Sequence, residues 1–225
     1  MHFFGVLIFS VLLLLSLFCS QTRKEGYKME TENSLNPVKL EGEVKQKDNS
    51  LVIDYQLTNQ SQQPIYVWDL MIGYAGGEEV INHELAYLCL EEPNTLRVAR
   101  AVLELPFDRD VYMMEIPYVR AVAPNETIKG KIVLPVPVEE YNPYYPPTEP
   151  ENYREVEANK IRLLIGWTEA RAGMIISDTT IGGEEVKMIR GAWEGAFQQL
   201  AERTFPAQVK ITVRTDAFDR QMPKQ

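Results

Sequence analysis

His83 and Cys89 are the scarce, chemically versatile side chains of this chain beyond its apolar leader, and both lie in "INHELAYLC". A Cys–His pair would need the imidazole beside the thiol to hold a thiolate. A Ser–His–acid triad would have to use the same histidine. No nucleophile elbow accompanies either residue, and Cys89 among apolar neighbours reads as an inert core cysteine. One His and one Cys do not fill a tetrahedral zinc site. A glycine-rich phosphate loop is absent from the sequence. Glu78/Glu79, Glu91/Glu92, Glu139/Glu140 and Glu184/Glu185 are adjacent pairs. On a strand such neighbours point to opposite faces, so they chelate poorly and read as solvated surface. In "FDRDVY", Asp108 and Asp110 flank Arg109 and form the best loop for calcium, which needs several oxygens converging on one point. No catalytic residue, metal or cofactor is assigned.

The most unusual stretch is "VPVEEYNPYYPPTEPENY". Tyr141, Tyr144, Tyr145 and Tyr153 are interleaved with Pro143, Pro146, Pro147 and Pro150. Proline fixes φ and favours extended backbone, so residues 137–158 read as a stiff excursion outside the sheets. Tyrosines on a preordered loop meet a partner at low entropic cost, by packing on a protein or stacking on sugar rings. These four are the candidate contact residues. The alternative is an ordered cover over a sheet edge, with the tyrosines buried and the prolines blocking edge-to-edge pairing.

Short β-patterned segments surround that stretch. In "SLVIDYQL", Leu51, Ile53, Tyr55 and Leu57 alternate with polar residues, as in a half-buried strand. "IYVWDLMIGY", "KIRLLIGW", "GMIISDT" and "AQVKITVRT" predict further strands, rich in β-branched and aromatic residues. "TIKGKIVLPVPV" begins as a strand that must leave the sheet at Pro135 and Pro137. "TLRVARAVLEL" and "VYMMEIPYV" carry weaker strand patterns. Val186, Ile189, Trp193, Phe197 and Leu200 recur at spacings of three and four, which predicts one late α-helix within "EEVKMIRGAWEGAFQQLAER". Gly191 and Gly195 weaken it and Pro206 stops it. "GGEEV" occurs at Gly76 and again at Gly182, and reads as turn chemistry rather than duplication. Asn59-Gln-Ser61 and Asn125-Glu-Thr127 match the glycosylation triplet.

The chain has 225 residues and a net charge of −9. Its length supports a core without metal or disulfide staples. The acidity argues against nucleic acid and against electrostatic docking on anionic lipid. Phe3 to Phe18 is almost wholly apolar, short for a membrane span and suited to the core of a signal peptide. Cys19 follows it, and then a polar tether. That order resembles a bacterial lipoprotein precursor, and the resemblance implies that Cys19 is diacylated and becomes the first residue. Phe18 stands where such signals carry a small residue. A cleaved signal peptide with plain secretion therefore stays open. Arg23 and Lys24 after the apolar run leave open a reversed anchor.

Many strands with turns between them predict a mainly β, antiparallel sandwich. The strand–"TNQSQQPI"–strand hairpin resembles the immunoglobulin-like domains of bacterial envelope lipoproteins. The expected organisation is a leader at 1–19, a tether at 20–37, one immunoglobulin-like sandwich at 38–217 and a tail at 218–225. The expected function is a non-enzymatic, exported, lipid-anchored module that contacts another envelope protein. A carbohydrate- or peptidoglycan-binding domain is the alternative.

Overall fold

The computed structural model describes residues 37–91, 93–106, 109–111, 115–190 and 198–216. These belong to one compact unit. Its strands are β1 (Val38–Lys47), β2 (Ser50–Asn59), β3 (Ile65–Ala75), β4 (Glu78–Asn82), β5 (Tyr87–Glu91), β6 (Thr95–Arg100), β7 (Tyr118–Val122), β8 (Thr127–Pro135), β9 (Val138–Glu139), β10 (Tyr153–Glu169), β11 (Ile175–Ile181), β12 (Glu184–Arg190) and β13 (Gln199–Arg214). The protein is mainly β and sandwich-like. A three-stranded antiparallel sheet, β1-β2-β8, packs on a ten-stranded sheet in which β10 pairs with β13 on one side and with β6 and then β3 on the other.

Period-two patterning builds the layer between the sheets. Leu51, Ile53, Tyr55 and Leu57 are all buried on one face of β2 while their neighbours are half-buried, as the alternation requires. They meet Ile65, Val67, Leu96, Val98, Ile161, Leu163, Ile165 and Ile211 from the large sheet in one hydrophobic cluster. Each such aliphatic side chain contributes about 2 kcal/mol on burial. Both "GGEE" turns are the same device. Gly76 and Gly77, like Gly182 and Gly183, have positive φ throughout, the geometry of a two-residue hairpin turn.

A buried polar seam joins the two sheets. Asp69 sits in the apolar run of β3 with its side chain fully enclosed. Arg120 grips it through both carboxylate oxygens, with Nε 2.9 Å from Oδ1. Tyr55 Oη donates to Asp69 Oδ2 at 3.0 Å and accepts from Arg100 Nη1 at 3.0 Å. Arg100 also donates to the carbonyls of Leu85 and Lys131, and Arg120 to that of Lys129. The Tyr55 ring lies across Gly130 on β8, where an added Cβ would stand 2.1 Å from Tyr55 Cζ. That gap lets Tyr55 reach the seam.

No late α-helix is found among the described residues. Glu184–Arg190 is strand and Gln199–Arg203 begins a longer strand. Residues 191–197, with Trp193 and Phe197, lie outside the described residues. The spacing of three had a different cause. Val186 and Ile189 sit on opposite faces of a strand buried on both sides. Val186 packs with Leu70 and Tyr118, and Ile189 with Trp68 and Val119. Hairpin pairing with β11 overrides the local helical pattern.

Candidate functional site

The Tyr/Pro segment is held from both ends by strand pairing. Val138 and Glu139 lie parallel to Ile211 and Thr212. Tyr141 exchanges backbone hydrogen bonds with Leu88, 2.8 and 2.9 Å, and so extends the outer edge of β5. Glu140 is buried between these strands, and its carboxylate accepts from the backbone N–H groups of Leu90 and Arg214, each at 2.8 Å. The excursion ends at a single 3₁₀ turn, Pro150–Asn152, and Tyr153 already belongs to β10, paired with Arg214. Residues 153–158 are therefore sheet rather than loop.

The four candidate tyrosines divide. Tyr144 and Tyr145 are buried, in a cluster with Met71, Tyr87, Cys89 and Leu164. They form an ordered cover rather than an exposed contact surface. Arg109 pins that cover, with its guanidinium 3.7 Å from the centre of the Tyr145 ring and its Nη1 donating to the Tyr144 carbonyl at 2.9 Å. Tyr141 is 39% exposed, and its ring stacks on Tyr87 with centroids 6.3 Å apart. Tyr153 is half-buried, and its hydroxyl accepts from the Thr148 N–H.

Tyr141, Tyr145 and Tyr153 line one cleft of about 490 Å³, together with Tyr74, Glu115 and Glu139. Tyr74, at the end of β3 beside the Gly76–Gly77 turn, is 60% exposed. Sequence reasoning missed Tyr74 and Glu115, which are far from residues 137–158 in the chain. The cleft is electronegative. The Glu115 charge, followed by burial, pushes the Tyr74 hydroxyl pKa up. Burial and then Glu115 do the same to Tyr141. Burial raises the Glu115 carboxyl itself, with Glu79 adding to the effect. One guanidinium, that of Arg214, also lines the cleft, and it is engaged by Asp216 at 2.6 Å and by the Pro146 carbonyl at 2.7 Å.

The other sequence candidates are placed apart. His83 is exposed and faces Glu184 at 2.9 Å, whereas Cys89 is buried under the tyrosine cover. Asp108 and Cys19 lie outside the described residues. Asn59 is fully buried, its Nδ2 donating to the carbonyls of Gln63 and Val122, so its amide is turned inward from any glycan. No described helix is long and apolar enough to cross a membrane. Comparison with protein families, with curated proteins and with solved structures gave no match.

Proposed function

We propose that this chain is a non-enzymatic binding module of the cell envelope, an immunoglobulin-like domain exported by its leader and anchored through lipid on Cys19. It receives part of another envelope protein in the tyrosine cleft. The observation that carries this reading is the cleft itself, which exposed Tyr74 and Tyr141 line together with Pro143, Pro146 and Pro147. Aromatic anchors in a preformed depression are the features that concentrate binding energy at protein interfaces. Capture from envelope extracts of the native host tests it. A protein retained by the wild type and lost with the Tyr74→Ala/Tyr141→Ala double variant is expected, and identical retention by both would refute it. Intact mass of the mature N-terminus tests the anchor, which requires a chain starting at an acylated Cys19.

A second reading is a glycan site. Two exposed tyrosine rings beside Asn142 and the carboxylates of Glu115 and Glu139 offer a stacking face with hydrogen-bonding groups for hydroxyls. A glycan array and a peptidoglycan pull-down separate the two, and the absence of glycan binding would retire this second reading.

A further inference from the structure

We infer that the tyrosine cleft selects a cationic side chain, the lysine ammonium or arginine guanidinium of its protein partner, and seats it between the Glu115 carboxylate and the rings of Tyr74 and Tyr141. The inference deepens the proposed function and rests on the cleft being the contact surface.

Three observations converge on it. First, Glu115 is half-buried, and among the described residues its carboxylate has no ion pair and no hydrogen-bond donor; only its backbone N–H is engaged, by Tyr144 Oη at 3.1 Å. A carboxylate removed from water without a donor is costly, and a ligand cation relieves that cost. Second, the rings around it are those of Tyr74 and Tyr141, whose faces attract a cation through the ring quadrupole. Third, the surroundings favour positive charge. Glu79 adds to the field of Glu115, and Glu139 and Glu140 line the cleft with it, while the lining cation, Arg214, is paired with Asp216 and held by backbone carbonyls. An organic cation fits better than a metal ion, because no group of three metal-ligating side chains converges among the described residues.

Titration of isotope-labelled protein, followed by amide chemical shifts, tests the inference. The probes are N-acetyl-lysine methylamide, N-acetyl-arginine methylamide and the uncharged N-acetyl-norleucine methylamide. The two cationic probes should shift Tyr74, Glu115 and Tyr141 saturably, with norleucine about tenfold weaker. Glu115→Gln should weaken the cationic probes about fivefold, and Glu155→Gln on β10 should leave them unchanged. Equal binding of norleucine, no shift with any probe, or shifts centred on the Glu41–Glu43 face of β1 would each overturn it. Capture of the native partner distinguishes this failure from failure of the parent reading. Retention by Glu115→Gln with loss by Tyr74→Ala/Tyr141→Ala removes the cation and keeps the cleft; retention by both variants removes both.

Discussion

Replacing Asp69 with alanine should be among the most damaging single changes to this fold. The substitution deletes the carboxylate that Arg120 grips through two hydrogen bonds and that accepts from Tyr55. Charge-assisted bonds contribute about 1.5–3 kcal/mol each, and the hydroxyl bond about 1 kcal/mol. Arg120 recovers part of this through water, since its side chain is 31% exposed. Tyr55, 3% exposed, loses the acceptor of its hydroxyl and does not. Removing one partner of a buried pair costs about 3–5 kcal/mol, and the structure places Asp69→Ala in that range. Domains of this kind are stable by about 5–15 kcal/mol, so the loss is a large fraction of the whole. Urea unfolding followed by the fluorescence of buried Trp68 and Trp167 measures it. Glu155→Ala is the control, because its pair with Lys210 is exposed on both sides and such pairs contribute at most about 1 kcal/mol. Tyr55→Phe should cost about 1–2 kcal/mol and couple to Asp69→Ala in a double-mutant cycle. If Asp69→Ala costs no more than Glu155→Ala, the seam does not hold the sheets together and the reasoning fails.

Gly130→Ala should destabilise by about 2 kcal/mol or more, since the new Cβ meets the Tyr55 ring; a thermal melt close to wild type would show that Tyr55 can move aside. Cys89 should resist alkylation in the native protein and react on denaturation, read by mass shift, because the tyrosine cover buries it. Glu115→Gln should raise the melting temperature slightly at neutral pH. The Glu115 carboxyl is raised in the folded state, so its protonated form favours the fold and wild-type stability from this group falls as pH rises through the folded value. The gain from Gln should therefore shrink as pH drops below the ordinary carboxylate range, and a gain that persists there would refute the electrostatic cause.

How much of this was legible in the sequence follows from what each pattern reports. Leu51, Ile53, Tyr55 and Leu57 alternate because one face of β2 is buried and the other is not, so the strand could be read directly. Val186 and Ile189 misled because a strand buried on both faces carries no period of two, and two apolar residues three apart then mimic a helical stripe. Tyr144 and Tyr145 sit between prolines, which signal stiffness and not which way a ring turns; their burial depends on Met71 and Leu164, which no local pattern connects to them. The cleft is assembled from the end of β3, the segment before β7 and the Tyr/Pro excursion, a juxtaposition made by topology alone. Asp69 was the signal left unread. A single charge inside "IYVWDLMIGY" requires a buried partner somewhere, and the chain supplies Arg120.

The arginines of the seam have an effect on what this protein does in a crowd. β8 is the last strand of its sheet, and its outward row of carbonyls is what an incoming foreign strand would need for growth into an aggregate. Arg100 and Arg120 take the carbonyls of Lys131 and Lys129 from that row. Two carbonyls of that border are thus capped by guanidinium groups instead of by another strand, so the residues that join the two layers also remove part of the template a foreign strand would need.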